Sequence, residues 1–188
     1  AEVLYKILGE AKYWNTSPQI YASSTNIDGW EAYKSFLTDE DSLTHLNKTI
    51  KKMREQQNQW VSMSSYKESQ EVVTSKDILA TPQKVVILID KNCGSSCEQF
   101  VLTAQQNPRV VTMGRPTYGA LDASNVMEKT SPSKQLQIYY ASTYIHRPAG
   151  KEIDGLGIPP AIKLPKPQNQ AEYSAEIQLA QRYLEQGL

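Results

Sequence analysis

A serine in a short polar turn is the strongest candidate for chemistry in this sequence. Ser95 lies in the segment 93–98, which reads CGSSCE and stands between an apolar run and a helical pattern. The first turn of a helix offers backbone N–H groups without intrahelical partners and the positive end of the helix dipole, and both could stabilise an oxyanion beside the hydroxyl. Because serine is also a favoured helix N-cap, the local pattern leaves two roles open, nucleophile and cap.

Two strands and a helix are predicted to position Ser95. Residues 84–90 form a continuous run rich in Val and Ile, which predicts a strand buried on both faces of a sheet. The apolar spacing after the turn predicts a helix that ends near 107–108, and 109–114 is a second apolar run. Strand, helix and strand in this order imply a parallel pair joined by a crossover helix, so the expected fold class is α/β.

The remaining segments predict further elements around this core. Their patterns favour a helix over 1–8, a strand over 19–23, a short helix capped by Asp28, a half-exposed surface helix over 41–58, an exposed loop or edge excursion over 60–80, a strand over 136–145 and a terminal helix over 169–187. A length of 188 residues is enough for one well-buried domain.

The charge balance argues against nucleic acid as a partner. The chain has 20 basic and 20 acidic residues and a formal net charge of zero, so it lacks the long-range positive field that gathers polyanions. Mean hydropathy is −0.53. No apolar run approaches the length of about 18 residues that a transmembrane helix needs, so no membrane-spanning segment is expected.

Cysteine and histidine usage predicts no metal site. Cys93 and Cys97 are one helical turn apart without two further Cys or His ligands nearby, so we interpret them as two buried thiols and expect no metal and no cofactor. His45 lies on the polar surface helix, where a solvated histidine is expected. His146 is expected in a surface turn, with a role as substitute base left open.

Five motifs follow one another between Lys84 and Leu164. They are VVILID at 85–90, GSSCE at 94–98, GRPTYG at 114–119, ASTY at 141–144 and DGLGIPP at 154–160. Each is weak evidence by itself. In this order and spacing, however, they resemble the C-terminal part of the catalytic domain of tail-specific, C-terminal-processing serine peptidases. The first 80 residues resemble that family only loosely.

The resemblance implies a layered ββα core of the ClpP/crotonase type, present here as a partial domain. Residues 1–188 are then expected to be the C-terminal portion of one peptidase catalytic domain. Within it, 83–165 would be the core, 38–80 the surface helix and excursion, and 169–187 the C-terminal helix.

The resemblance also implies roles for residues of the turn. Ser95 takes the nucleophile's position, and the backbone N–H of Ser96 would be an oxyanion-hole donor, with Ser96 itself as the second candidate nucleophile. In the bacterial processing branch of the family a lysine follows the Thr-Phe-Gly element, whereas this chain has Ala120 after TYG at 117–119. Alanine cannot accept a proton, so the Ser–Lys dyad of that branch is absent.

The lysine-lacking, tricorn-like branch is therefore the better match. Its base is a histidine well before the nucleophile, assisted by an upstream serine and by a carboxylate near the Gly-Ile/Val-x-Pro tail. Asp154 is close to that carboxylate's position, with Glu152 as the alternative, while Asp122 is expected to be structural. The chain has neither the upstream histidine element nor a Gly-Gly pair before Ser95. It is therefore expected to be part of a longer peptidase and inactive alone.

The leading hypothesis is a serine peptidase domain that cleaves peptide bonds through an acyl-enzyme. The alternative is a non-catalytic domain of the same fold that binds peptides or an apolar ligand, which Ala120 would favour. A crotonase-like acyl-CoA enzyme is a third hypothesis, for which the sequence offers no CoA-binding feature. Peptide or protein substrates are the expected partners, homo-oligomerisation is left open, and the resemblance favours an extracellular or cell-envelope location.

Overall fold

The structure, a computed structural model, describes residues 11–14, 18–63, 70–73 and 81–186. In chain order the elements in these ranges, apart from a 3-10 helix at Lys34–Phe36, are β1 (Ala11–Trp14), β2 (Gln19–Tyr21), α1 (Ser24–Tyr33), α2 (Glu40–Glu55), β3 (Trp60–Ser62), β4 (Gln70–Val73), β5 (Val85–Ile89), α3 (Ser96–Gln105), β6 (Val110–Gly114), β7 (Ala123–Thr130), β8 (Gln137–Tyr144), β9 (Ile162–Lys163) and α4 (Gln170–Gln186). The helices in these ranges are all too short or too polar to span a bilayer.

The first of two compact units consists of 1–15, 70–121 and 153–188 and contains a parallel sheet in the order β5-β6-β9. β5 and β6 run parallel in register, and α3 connects them, which confirms the strand–helix–strand prediction. β1 and β4 form a separate antiparallel pair in this unit. The buried apolar cluster is formed by Ile89, Cys93, Val101, Leu121, Ile153 and Ile158. It contains residues on both sides of the candidate turn, and so it anchors both ends of that turn.

The prediction that the strand at 84–90 is buried on both faces is wrong within this chain. β5 lies at the edge of its sheet among the described strands, and Leu88 is 38% exposed. A run rich in Val and Ile indicates that a strand prefers to be buried. It does not show which neighbouring elements cover the two faces of that strand.

The second unit consists of 16–69 and 122–152 and contains an antiparallel sheet in the order β3-β2-β8-β7. α2 matches the predicted surface helix, with Leu46, Ile50 and Met53 buried along its apolar stripe. These side chains join the buried cluster formed by Ile20, Ala22, Ile27, Trp30 and Val61. Most of the other α2 positions are exposed, so the prediction of a half-exposed helix is confirmed.

Of two local predictions in this half of the chain, one is wrong and one is confirmed in one of its alternatives. Asp28 does not cap a helix: α1 begins earlier, and its N-cap is Ser23, whose hydroxyl accepts a hydrogen bond from the Asn26 N–H at 3.1 Å. Of the two alternatives for 60–80, the edge excursion is the better description, because the stretch contains β3, which lies at the edge of its sheet among the described strands, and β4. The rest of that stretch, and the helix predicted over 1–8, fall outside the described residues.

Candidate active site

Ser95 occupies the last turn residue before α3 and is exposed to solvent. Its backbone has φ +55° and ψ −117°, a conformation that residues with a Cβ rarely adopt. Strained residues at the junction of a strand and a helix are a recurrent way of presenting a nucleophilic hydroxyl. Ser95 is the N-cap of α3 and forms a capping box with Glu98, but its positive φ differs from the extended backbone of an ordinary N-cap and favours a nucleophile's role as well.

A fully buried carboxylate fixes this turn from behind. Glu98, in the first turn of α3, is 0% exposed. Its Oε2 accepts hydrogen bonds from the backbone N–H groups of Ser95 at 3.0 Å and Ala120 at 2.9 Å. Its Oε1 accepts from the Thr117 hydroxyl at 2.5 Å and the Gly119 N–H at 2.7 Å. Four donors satisfy one buried carboxylate, so the Ser95 turn is held firmly against the loop 115–121.

The same loop holds the second predicted site residue. Asp154 is partly buried, and its Oδ1 accepts a hydrogen bond from the Leu121 N–H at 2.7 Å. Leu121 directly follows Ala120, which binds the Glu98 carboxylate. Consecutive Cα atoms are about 3.8 Å apart, so the Ser95 turn and Asp154 are fastened to neighbouring points of one loop.

Thr117 and Gly119 connect this loop to the segment that follows Asp154. The Thr117 hydroxyl accepts a hydrogen bond from the Ile158 N–H at 2.7 Å, and the Gly119 carbonyl accepts from the Gly155 N–H at 2.9 Å. Three of the sequence motifs, at 94–98, 114–119 and 154–160, thus meet in one hydrogen-bonded cluster. In the sequence Glu98 and Thr117 stand out only as parts of motifs, although the Ser-x-x-Glu spacing at 95–98 is the signature of a capping box.

The oxyanion donor predicted from sequence lies at the start of α3. Ser96 is the first residue of α3, where N–H groups have no intrahelical acceptor. The Cys97 N–H, by contrast, donates to the Gly94 carbonyl at 3.2 Å. The oxyanion role of the Ser96 N–H stays a prediction, and the exposed Ser96 hydroxyl remains the second candidate nucleophile.

The interpretation of the two cysteines as thiols is wrong. Cys93 and Cys97 form a disulfide, with Cα atoms 5.2 Å apart, and the bond encloses Ser95. The sharp turn at Ser95 brings the two Cα atoms within the range that a disulfide requires. Cys97 is exposed as well, so only Cys93 matches the expectation of burial.

The other candidates belong to the second unit. His45 is exposed on α2, and His146 is exposed with its ring edge-on to Trp60 and Tyr144, at centroid distances of 5.3 and 4.8 Å. Both have the surface positions that the sequence predicts. Asp122 is 1% exposed and pairs with Arg147, as a structural carboxylate would. Glu152, the alternative to Asp154, is exposed.

A family model described as peptidase family S41 matches residues 32–164, more than half of the chain. The chain belongs to peptidase family S41. The match spans both units and includes the Ser95 turn, the loop 115–121 and Asp154. The resemblance to tail-specific, C-terminal-processing serine peptidases is thereby confirmed at the level of the family. A peptidase-type domain of the serine class follows from S41 membership, whereas the roles of individual residues stay predictions.

Solved structures support the fold of this S41 chain. The structure of mature CPAF complexed with lactacystin is 13% identical, with a TM-score of 0.59 over 97% of this chain and 41% of that one. Mature CPAF is 12% identical, with a TM-score of 0.57 over 97% of this chain and 39% of that one. A photosystem II D1 C-terminal processing protease is 18% identical over 52% of this chain and 25% of that one, with a TM-score of 0.34. No curated protein sequence matches the chain.

The likeness to CPAF confirms the α/β fold class. The S41 chain spans less than half the length of each of these solved chains. The ClpP/crotonase type of layering and the domain bounds 1–188, 83–165, 38–80 and 169–187 stay predictions.

Proposed function

We propose that this chain carries the nucleophile of a serine peptidase of the lysine-lacking, tricorn-like kind. One observation carries the proposal. Ser95 is exposed to solvent in a strained conformation, and the buried carboxylate of Glu98 links it to Ala120. The residue after Ala120, Leu121, binds Asp154. A turn that served only as a helix cap would not need a positive φ at its serine.

In this mechanism the Ser95 hydroxyl attacks the carbonyl carbon of a peptide bond. The oxyanion that forms is stabilised by the Ser96 N–H and by the positive end of the α3 dipole. The proton of Ser95 passes to a general base and then to the leaving amine, and water later hydrolyses the acyl-enzyme. Asp154, whose Oδ1 accepts a hydrogen bond from the Leu121 N–H, orients that base.

In this proposal the base is supplied from outside this chain. Ala120 stands where the processing branch has its lysine, and the histidine of the tricorn-like branch lies well before the nucleophile. A histidine from another part of a longer peptidase fits the tricorn-like arrangement, in which a carboxylate orients the histidine. The partners would be peptides or proteins. A disulfide beside the nucleophile agrees with an extracellular or cell-envelope location.

The experiment is covalent labelling of the natural full-length protein by a fluorophosphonate, read by intact mass. We expect one adduct, which Ser95→Ala abolishes and which Ser96→Ala retains. Asp154→Asn should slow labelling on the order of 100-fold or more, because the base loses its orienting charge. Labelling that survives Ser95→Ala and disappears in Ser96→Ala would move the nucleophile to Ser96.

A second function is favoured by Ala120. A domain of this fold that has lost its base would bind peptides or an apolar ligand without cleaving them. No labelling of a folded full-length protein, together with retained binding of peptides, would support this function against the first.

A further inference from the structure

The disulfide encloses the proposed nucleophile and both of its neighbours. Cys93 and Cys97 are four positions apart and are bonded across Gly94, Ser95 and Ser96. At one end, the Cys93 carbonyl accepts a hydrogen bond from the Tyr118 N–H at 2.8 Å. At the other end, Cys97 lies in the first turn of α3. The bond therefore joins the strand side of the turn to the helix that supplies the oxyanion donor.

The two cysteines differ in exposure. Cys93 is 7% exposed and belongs to the buried cluster of the first unit, whereas Cys97 is exposed. A thiolate from solvent can therefore reach the bond from the Cys97 side. Disulfides that solvent can reach are the ones that exchange readily and serve regulatory roles.

We propose that the Cys93–Cys97 disulfide is a redox modification site that sets the conformation of the turn and, through it, the reactivity of Ser95. The reactivity half of this proposal rests on the proposed peptidase function. The reductant is a dithiol. Its first thiolate attacks the Cys97 sulfur, the disulfide bond breaks, and Cys93 leaves as a thiolate. The second thiol of the reductant then displaces Cys97, so the dithiol becomes a disulfide and its two protons go to the two cysteines.

Reduction releases the first turn of α3 from the buried Cys93 and leaves the Glu98 contacts in place. The strained φ of Ser95 can then relax, because one of the restraints that hold it has gone. The Ser96 N–H turns away from the oxyanion position in the same motion. The fold itself is kept, because the buried cluster and the four hydrogen bonds of Glu98 do not involve the sulfur–sulfur bond.

The test compares fluorophosphonate labelling rates of the full-length protein when oxidised, reduced by dithiothreitol, and reoxidised. We expect labelling to slow about tenfold or more on reduction, because small displacements of catalytic groups have effects of that size, and to recover on reoxidation. Cys97→Ser, which leaves the buried Cys93 intact, should label as slowly as the reduced protein and should not respond to dithiothreitol. Equal rates for the oxidised and reduced proteins would overturn the proposal.

Amide hydrogen exchange of residues 94–98 separates this proposal from the peptidase function. We expect faster exchange at Ser95 and Cys97 after reduction, with unchanged exchange in β5 and β6. If the oxidised protein does not label at all, the peptidase function fails, and exchange alone decides whether the disulfide sets the turn. Exchange that does not respond to reduction overturns the proposal in either case.

Discussion

Ser95 holds a conformation that costs free energy for any residue with a Cβ. At φ +55° and ψ −117° a glycine would be unstrained. We predict that Ser95→Gly is more stable to unfolding than Ser95→Ala by about 1 kcal/mol or more, because both variants lack the hydroxyl and only alanine keeps the strain. Urea denaturation of the two variants measures the difference. Equal stabilities would mean that the turn relaxes and stores no strain.

Glu98 is the residue on which the site's geometry depends most. A glutamine at this position has one acceptor oxygen and one NH₂ group, and the NH₂ group would face two of the four donors. We predict that Glu98→Gln loses on the order of 3 kcal/mol of unfolding free energy, since two buried donors are left without an acceptor. Denaturant titration measures this loss.

Thr103→Val is a control for Glu98→Gln within the same helix, because the hydrogen bond that the Thr103 hydroxyl donates to the Gln99 carbonyl is exposed to solvent. This control should change stability by about 0.5 kcal/mol or less. A loss in Glu98→Gln no larger than that of the control would show that the carboxylate does not hold the turn.

For single residues, the sequence predicts the position of Ser95 but neither the distant partners of Glu98 nor the disulfide. The position of Ser95 follows from a strand, a turn and a helix in succession, all of which are local signals. Three of the four partners of Glu98 lie 19 to 22 positions away, at Thr117, Gly119 and Ala120, and depend on packing. The disulfide could not be predicted either, because the Cα separation of 5.2 Å that allows it depends on the conformation of the turn at Ser95.

The loop 115–121 is the element that joins the motifs, and Gly119 lets it approach the segment after Asp154. A Cβ on Gly119 would lie 2.7 Å from the Gly157 nitrogen and 2.8 Å from the Ile153 oxygen, at a φ of +82°. We predict that Gly119→Ala destabilises the protein by about 2 kcal/mol or more, because backbone atoms must move and a positive φ is strained. Thermal unfolding and fluorophosphonate labelling should both report the change.

Gly155 provides a matched control in the same cluster. Its φ is +76°, but a Cβ there would meet no atom within 4 Å. Gly155→Ala should therefore show only the cost of the positive φ, about 1 kcal/mol. If the two variants were equally stable, close backbone packing at Gly119 would not be the reason for the glycine.

α2 offers a pH-dependent test of helix capping. Asp39 is its N-cap, and its Oδ1 accepts a hydrogen bond from the Ser42 N–H at 2.7 Å. This hydrogen bond lowers the pKa of Asp39 from its usual 3.8. A lowered folded-state pKa means that the stabilisation is complete above the unfolded value and is lost as pH falls through the folded value.

Asp39→Asn keeps a capping side chain without the titration, so its stability should fall less than that of the wild type on acidification below about pH 4. Denaturant unfolding at a series of pH values gives both curves. Parallel curves for the two proteins would contradict an ionised cap.

Elements with strong local patterns were predicted well, and weakly patterned ones were not. β5, β6, β8, α2 and α4 all lie within a few residues of the predicted ranges. β7 was missed because its sequence, ASNVMEKT, is mostly polar and exposed, and it is a strand only because it pairs along the whole of β8. The start of α1 was misplaced because Ser23 and Asp28 are both good caps, and tertiary packing selects the first.

At the scale of the whole molecule, the sequence predicts least well which segments of the chain belong to which unit. The first unit takes three separate stretches of chain and the second takes two, so neighbouring residues such as Leu121 and Asp122 belong to different units. Hydrophobic patterns are read over about 11–18 residues, and they carry no information on such long-range assignments. Residues that link distant stretches of one unit must therefore specify its assembly.

Arg115 is such a residue in the first unit. Its guanidinium donates to the Pro165 carbonyl at 3.0 Å and to both carboxylate oxygens of Glu176, contacts that span 50 and 61 positions, and it lies 4.0 Å from Asp90. The hydrogen bond to Glu176 raises the pKa of Arg115, so the side chain stays charged. These contacts attach α4 to the sheet.

We predict that Arg115→Lys lowers the unfolding free energy by about 1–3 kcal/mol, because an ammonium group cannot make the paired hydrogen bonds of the guanidinium. Arg54→Lys is the control: Arg54 pairs with Glu31 on the surface and is 59% exposed, so its replacement should cost well under about 1 kcal/mol. Denaturant unfolding of both variants measures the two losses, and hydrogen exchange in α4 shows where the larger one acts. Faster exchange confined to α4 and β5 in Arg115→Lys would confirm that Arg115 holds the C-terminal helix. Losses of equal size in the two variants would show that the Arg115 contacts stabilise the protein no more than an ordinary surface ion pair does.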